Sequence, residues 1–179
     1  MTNIILVTGP SRSGKSVWAE SLFNHNSALS YIATTIYDKS DEGMVQRIFE
    51  HQNRRPKCWE TIESKGLLSK DINEIDKNRP ILIDSLGGFV SANLNLSERE
   101  WNKLAQDLIC IIQQRIPTIV IVIEQVGWGV VPHTILGNIF QDRIGLLSLK
   151  LESISDKSWL LIQGRALDLK SISQHIPIY

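Results

Sequence analysis

Apolar runs alternate with segments of helical periodicity along most of the chain. Residues 4–7 and 80–83 are continuous apolar runs, which are typical of strands that a parallel sheet buries on both faces. Residues 118–123 form the most strongly β-branched run, and this composition also favours a strand. Shorter strands are predicted at residues 31–33, 59–62 and 159–162.

Helical segments separate these strands. A first helix is predicted from Lys15, because Trp18 and Leu22 follow at helical spacing. A long helix is predicted after Ser97, since Ser97 and Glu100 have the spacing of a capping box. Strands that alternate with helices predict an α/β fold with a mainly parallel sheet, helices on both faces and ligands at the carboxyl ends of the strands. Further helices are predicted at residues 40–53, 67–76 and 134–151.

Length and composition restrict the class of protein. The 179 residues suit one domain, and nineteen basic against nineteen acidic residues leave no net charge to attract a polyanion. We therefore expect no nucleic-acid partner. Cys58 and Cys110 are too few for a disulfide framework or a zinc site, which favours a reducing cytoplasm. We expect a cytoplasmic protein without an integral membrane segment, because no leader precedes the first strand and no apolar run is long enough to span a bilayer.

The segment between the first strand and the first helix has a phosphate-binding pattern. In such a loop the backbone N–H groups and the helix N-terminus point at one anion. Lys15 is predicted to reach the β- and γ-phosphates and Ser16 to ligate Mg²⁺. The sequence therefore predicts a single P-loop NTPase-like domain over residues 1–179 that binds a nucleoside triphosphate. The loop residues are Gly9, Pro10, Ser11, Arg12, Ser13, Gly14, Lys15 and Ser16.

Two residues modify this loop. Pro10 has no N–H, so the loop has one donor fewer than a glycine there would give. Arg12 is a candidate to supply charge instead, and a solvent-exposed arginine is the alternative. A chance Gly-Lys-Ser in a turn would also account for the motif, but the flanking strand and helix provide the context that it requires.

Several segments, taken in order, resemble one enzyme family. They are Gly9-x-Ser-Arg-Ser-Gly-Lys-Ser16, Tyr31-Ile32-Ala33-Thr34, Arg47-Ile48-x-x-His51-x-x-Arg54-Arg55-Pro56-x-x-Trp59-x-Thr61-x-Glu63, Ile81-Leu82-Ile83-Asp84-Ser85-Leu86, Glu124-x-Val126-Gly127-x-Gly129-Val130-Val131-Pro132 and Phe140-x-Asp142-x-x-Gly145. This ordered set resembles the bifunctional adenosylcobinamide kinase / adenosylcobinamide-phosphate guanylyltransferase family of cobalamin biosynthesis. The resemblance implies that ATP or GTP phosphorylates adenosylcobinamide, and that GMP from GTP then passes to the phosphate through a guanylylated histidine. It also implies a homotrimer that takes a corrinoid substrate.

His51 is the position that matches the family's histidine, so His51 and Lys15 are the expected catalytic residues. A neutral imidazole can attack an α-phosphorus and give a reactive phosphoramidate. Arg47, Arg54 and Arg55 lie one turn away or just past the predicted helix end, and they are candidates to neutralise triphosphate charge. The alternative is that His51 is a hydrogen-bonded core histidine, because it shares a helical face with apolar residues. The arginines would then belong to a solvated surface.

Nucleotide and metal ligands are also predicted. Asp84 ends a buried strand near the P-loop, where a Walker-B carboxylate would hold Mg²⁺ through water, and Glu124 ends a comparable strand and competes for that role. As alternatives, Asp84 is a strand-end cap and Glu63 a surface carboxylate. His25, His133 and His175 lack metal-site spacing and are expected at the surface. The resemblance implies nucleotide contacts at Ala33, Thr34, Thr35, Gln52, Asn53, Arg54, Arg55, Glu63 and Asp84.

Three positions depart from the family pattern, and they bear on the kinase half and on metal placement. They are Pro10 in place of Gly, Glu124-Gln125 in place of Asn-Glu, and Ser148 in place of Asn. Two other functions stay open from the residues alone. One is a P-loop kinase that acts on another small alcohol, with a structural His51. The other is a non-enzymatic GTP-binding switch or sensor, whose loops at Gly87 and Gly88 and at residues 127–129 respond to the γ-phosphate.

Overall fold

The computed structural model describes residues 3–35, 42–129 and 131–176. In these ranges seven strands form a single sheet. The strands are β1 (Ile4–Gly9), β2 (Leu29–Ala33), β3 (Trp59–Glu63), β4 (Ile81–Asp84), β5 (Ile119–Glu124), β6 (Lys157–Ile162) and β7 (Arg165–Asp168). Their order across the sheet is β3-β2-β4-β5-β1-β6-β7. All neighbouring pairs are parallel except β6 and β7, so the predicted mainly parallel sheet is confirmed.

Helices lie between the parallel strands, and one more short helix follows β7. They are α1 (Lys15–Ser21), α2 (Glu42–Arg54), α3 (Leu68–Glu74), α4 (Leu86–Ala92), α5 (Glu98–Gln113), α6 (Ile135–Glu152) and α7 (Leu169–Ile172). The predicted capping box begins α5: Glu100 N donates to Ser97 Oγ at 3.4 Å, and Ser97 N donates to Glu100 Oε2 at 2.9 Å. None of the helices in the described ranges combines the length and apolar character needed to cross a bilayer.

Two apolar cores lie on opposite faces of the sheet. Ile4 and Leu6 of β1 belong to the larger core, and Ile5 and Val7 belong to the smaller one. Side chains from α3, α4, α5 and α6 complete the larger core, whereas α1 covers the smaller one. Because successive strand residues point to opposite faces, a continuous apolar run is what this two-sided burial requires.

The predicted loop at Gly87 and Gly88 is wrong, because both glycines lie inside α4. An ideal Cβ at Gly87 would lie 2.6 Å from Glu124 Oε2, and one at Gly88 would overlap the backbone and side chain of Thr34. The glycines therefore permit close packing rather than a flexible turn. Glycine has a low helix propensity, and tertiary packing overrides it here.

The hairpin at the end of the sheet was not predicted. Ile162 pairs with Arg165, so Gln163 and Gly164 form a two-residue turn. Both turn residues have positive φ, 50° and 73°, as a type I′ hairpin requires. Gln-Gly is a weaker turn signal than Asn-Gly or Asp-Gly. No element was therefore predicted after the strand at residues 159–162.

Candidate functional site

The carboxyl ends of the parallel strands bring most of the predicted site residues to one edge of the sheet. Gly9 pairs with Glu124 in the β1–β5 register. Ala33 pairs with Asp84 on one side and with Glu63 on the other. In open α/β sheets this edge is the usual place for a ligand. The structure thus brings together residues that are 115 positions apart in the chain, from Gly9 to Glu124.

The phosphate loop joins β1 to α1 through two residues in the left-handed region, Arg12 with φ of 60° and Gly14 with φ of 93°. A Cβ on Gly14 would meet no atom within 4 Å, so the loop opens at this point. A Cβ on Gly9 would overlap the Leu161 carbonyl oxygen, so glycine is needed where β1 and β6 approach. The side chain of Arg12 is exposed, and its role as a source of charge for the phosphates stays a prediction.

Lys15 lies across this loop. Its ammonium donates to the Pro10 carbonyl at 2.7 Å, and the same carbonyl accepts from Ser13 N at 3.3 Å. Gly14, the residue before α1, provides no side-chain cap, and the first turn contains no acidic residue. The electropositive helix end and the ammonium therefore lie together without a nearby carboxylate in that turn, which suits an anion.

The loop also contains a buried hydroxyl that bonds to nothing within the described residues. Ser13 is 6% exposed, and its Oγ has no hydrogen-bond partner there. A buried polar atom without a partner is unfavourable by about 1–3 kcal/mol. An anion with several acceptor oxygens in the loop would remove that cost. The loop residues therefore fit the phosphates of a nucleotide.

Glu124 accepts hydrogen bonds from the segment that follows β4. The hydroxyl of Ser85 donates to Glu124 Oε1, and Gly87 N donates to Glu124 Oε2 at 2.9 Å. Thr34 makes the matching link from β2, because its hydroxyl donates to the Ser85 carbonyl and accepts from Ser85 N at 3.1 Å. The peptide bond between Asp84 and Ser85 is cis. Both oxygens of Glu124 thus accept hydrogen bonds within the protein.

Asp84 is partly buried and accepts a hydrogen bond from the Tyr31 hydroxyl at 2.5 Å. Burial raises the pKa of Tyr31 well above its ordinary value, and the neighbouring Asp84 carboxylate raises this pKa further. The guanidinium of Arg55 lies over the Tyr31 ring, 3.4 Å from its centroid, and opposes the rise in pKa. Tyr31 therefore remains a neutral donor to Asp84.

Arg54 forms a two-point ion pair with a residue that the sequence analysis did not select. Its Nε donates to Glu20 Oε2 at 2.7 Å, and its Nη2 donates to Glu20 Oε1 at 2.8 Å. The hydrogen bond to Glu20 raises the pKa of Arg54. Glu20 is only 4% exposed. Its position four residues after Ser16, on the helix that follows the P-loop, was the signal available in the sequence.

The remaining predicted residues lie on different elements and differ in exposure. Gln52, Asn53, Glu63 and Thr35 are exposed, whereas Thr34 is buried. His51 lies in α2, but its side chain and that of Arg47 are outside the described part of the structure. Both the covalent role of His51 and its core alternative therefore stay predictions. The expected exposure of His25, His133 and His175 is confirmed.

A cleft of about 600 Å³ adjoins the end of β5. Gln125 and Ser148, two of the positions that depart from the family pattern, line it together with Glu124. Gln125 N also donates to the Gly9 carbonyl at 3.0 Å, so the end of β5 is tied to the beginning of the phosphate loop. Within the described residues no group of three or more histidine, cysteine or acidic side chains is placed to hold a metal ion.

Comparison with known proteins identifies a matching family. The family model described as "Cobinamide kinase / cobinamide phosphate guanyltransferase" matches residues 5–169. The chain is 32% identical to the "Bifunctional adenosylcobalamin biosynthesis protein CobU" of Escherichia coli (strain K12), over 93% of this chain and 99% of that protein. It is 30% identical to the protein of the same name from Salmonella typhimurium (strain LT2), with the same coverage of both chains. It is also 30% identical to "Bifunctional adenosylcobalamin biosynthesis protein CobP" of Pseudomonas aeruginosa, over 92% of this chain and 96% of that protein.

A solved structure shares the fold. It comes from work described as "Structural and biochemical analysis of a prototypical ATPase from the type III secretion system of pathogenic bacteria". The match has a TM-score of 0.55 and 12% sequence identity, and it covers 90% of this chain and 52% of that one. At this identity the likeness concerns the fold alone, and it agrees with a single P-loop NTPase-like domain.

Proposed function

The chain belongs to the cobinamide kinase / cobinamide phosphate guanyltransferase family, and on that premise we propose that it phosphorylates adenosylcobinamide with ATP or GTP and then transfers GMP from GTP to the product. Kinase and guanyltransferase activities in cobalamin biosynthesis follow from the family. A non-enzymatic switch is therefore excluded. The observation that carries the finer proposal is the phosphate loop, in which Lys15 and the uncapped start of α1 converge within the matched residues.

In the kinase step the phosphate loop holds the triphosphate. Lys15 would move from the Pro10 carbonyl to the β- and γ-phosphates, where its charge stabilises the phosphoryl group during transfer. The hydroxyl of the aminopropanol group attacks the γ-phosphorus. The bond from that phosphorus to the bridging oxygen breaks, the nucleoside diphosphate leaves, and the hydroxyl proton passes to water.

Ser16, with Asp84 through water, would hold Mg²⁺ beside the phosphates. Mg²⁺ is usually bound by one or two carboxylates together with substrate phosphates, so a large acidic cluster is not required. When bound, the ion neutralises charge on the transferring phosphoryl group. Asp84 fits this role better than Glu124, because both Glu124 oxygens already accept hydrogen bonds from Ser85 and Gly87.

In the guanylyl step His51 would be the nucleophile. Its imidazole nitrogen attacks the α-phosphorus of GTP, a P–N bond forms, and pyrophosphate leaves as the P–O bond to the β-phosphate breaks. A phosphate oxygen of adenosylcobinamide phosphate then attacks the same phosphorus. The P–N bond breaks, the histidine is regenerated, and adenosylcobinamide-GDP is released. The family match at residues 5–169, which includes His51, supports this assignment.

Labelling with GTP tests the covalent step. Protein incubated with α-labelled GTP should carry an acid-labile label that is absent from His51→Ala. The matched control is His25→Ala, since His25 is an exposed histidine outside the proposed machinery. Equal labelling of wild type and His51→Ala would refute the role of His51.

The complete reaction is tested with adenosylcobinamide, Mg²⁺ and GTP, followed by mass analysis of the corrinoid. We expect adenosylcobinamide phosphate and then adenosylcobinamide-GDP. A phosphorylated corrinoid with no GMP adduct on protein or product would instead indicate a kinase without nucleotidyl transfer. The proposal also includes a cytoplasmic location and a homotrimer. Sedimentation at several protein concentrations would test the homotrimer.

A further inference from the structure

Glu20 is a buried carboxylate on the helix that follows the phosphate loop. Its side chain is 5% exposed, and both of its oxygens accept hydrogen bonds from Arg54, whose side chain is 38% exposed. A buried carboxylate requires such compensation, because an unpaired charge in the interior is strongly unfavourable. Because the planar guanidinium makes two hydrogen bonds to the carboxylate, it fixes the relative orientation of the two side chains, which a single hydrogen bond would not.

The ion pair links α1 to α2, and each of its two residues lies about one helical turn from a residue of the proposed site. Glu20 follows Ser16 by four residues on α1, so the two lie on the same face one turn apart. Arg54 follows His51 by three residues on α2, which is also about one turn. The ion pair therefore lies one turn from Ser16, the proposed Mg²⁺ ligand, on one helix and one turn from the proposed nucleophile on the other.

A second contact fixes the same end of α2. The Arg55 guanidinium lies 3.4 Å from the centroid of the Tyr31 ring, and the Tyr31 hydroxyl donates to Asp84. Arg55 Nη1 also donates to Thr61 Oγ1 at 3.4 Å. Consecutive arginines thus attach the carboxyl end of α2 to α1 on one side and to the middle of β2 and β3 on the other.

We propose that Glu20 is a positioning residue, which holds the carboxyl end of α2 against the P-loop helix through Arg54 and so sets the distance between the nucleotide and the histidine-bearing turn. This inference rests on the proposed function, since it concerns the guanylyl step at His51. Arg54 uses two of its three guanidinium nitrogens on Glu20, so its main task is to orient the helix rather than to neutralise phosphate charge. A displacement of about 1 Å in a reacting group can lower a rate by roughly 100-fold.

Glu20→Gln and Arg54→Gln test the proposal, each alone and together. Glu60→Gln is the matched control, because Glu60 pairs with Arg79 in an ion pair whose glutamate is 57% exposed. Two rates are measured on the same preparations: covalent labelling from α-labelled GTP, and phosphate transfer from γ-labelled ATP to adenosylcobinamide. Amide hydrogen exchange in α2 is followed in parallel.

We expect Glu20→Gln to lower the labelling rate roughly 10- to 100-fold while the kinase rate changes by less than about threefold. The double variant should lose no more than the worse single variant, because the two residues act as one pair. Exchange in α2 should become faster in Glu20→Gln and stay unchanged in Glu60→Gln. Three results would overturn the inference. They are a labelling rate in Glu20→Gln equal to that of wild type, equal losses in the two rates, and losses that multiply in the double variant.

The positioning role can fail separately from the proposed function. If the wild-type protein takes no label from GTP, the covalent step is wrong and hydrogen exchange decides the role of Glu20. Faster exchange of α2 in Glu20→Gln alone would then support the attachment of the helix. Unchanged exchange would overturn it.

Discussion

The Gly87 backbone N–H donates to Glu124 Oε2 at 2.9 Å, although the two residues lie on different elements and 37 positions apart. Gly87 is in the first turn of α4, so the carboxylate at the end of β5 caps that helix from across the sheet edge. Carboxylates are favourable at helix N-termini because of the partial positive charge there. This hydrogen bond therefore holds the start of α4 against the end of β5, at the edge of the sheet where the candidate site lies.

Gly87→Ala should destabilise the protein even though alanine is the better helix former. The new Cβ would lie 2.6 Å from Glu124 Oε2, so the carboxylate must move and its bond to Gly87 N must weaken. We expect a loss of about 1–3 kcal/mol in the free energy of unfolding, measured by urea denaturation. Gly145→Ala in α6 is the control, because a Cβ there meets nothing within 4 Å and should stabilise by about 0.5–1 kcal/mol. Equal effects of the two substitutions would contradict the packing argument.

Lys15→Ala should weaken triphosphate binding. A charge-assisted hydrogen bond contributes roughly 1.5–3 kcal/mol, which corresponds to about a 10- to 150-fold rise in Kd. Calorimetry with a non-hydrolysable GTP analogue measures this change. Lys77→Ala is the control, since Lys77 is exposed in the turn before β4. This variant should bind the analogue with the Kd of wild type. An unchanged Kd in Lys15→Ala would count against the phosphate loop.

Asp84→Asn should raise the Mg²⁺ requirement of the kinase step more than Glu124→Gln does. Asp84 is the proposed water-mediated ligand, whereas the Glu124 oxygens accept from Ser85 and Gly87. We expect the Mg²⁺ concentration for half-maximal rate to rise roughly tenfold in Asp84→Asn, as for loss of an interaction of about 1.4 kcal/mol. Glu124→Gln should mainly lower stability. The opposite order of Mg²⁺ dependence would transfer the metal role to Glu124.

Tyr31 should make the stability depend on alkaline pH. Its folded pKa is raised above 10.0 by burial first and by Asp84 second, whereas an unfolded tyrosine ionises near that value. The contribution of the neutral hydroxyl is therefore complete below the unfolded pKa and is lost as pH rises through the folded one. The difference in unfolding free energy between wild type and Tyr31→Phe should shrink from about pH 10 upward. A difference that stays constant over this range would show that Tyr31 ionises alike in both states.

The elements with strong local signals were predicted well. The apolar runs of β1 and β5 and the Ser97 capping box appear as expected, because each depends on neighbours within one strand or one helical turn. Helix α4 was missed, because two glycines favour a loop until Glu124 and Thr34 are known to lie beside them. Strand β7 was missed for a related reason, since its short sequence gains its pairing only from β6.

The sequence by itself determined the phosphate loop, the alternation of strands and helices, and the resemblance that the family match confirmed. These features are encoded by spacing over a few residues or by the order of motifs. Only the tertiary structure decided that Glu124 caps α4 and that Glu20 holds Arg54. Such pairs depend on the order of strands in the sheet and on how the crossover helices pack. Local periodicity shows which residues can be buried, but it does not show which buried charges meet.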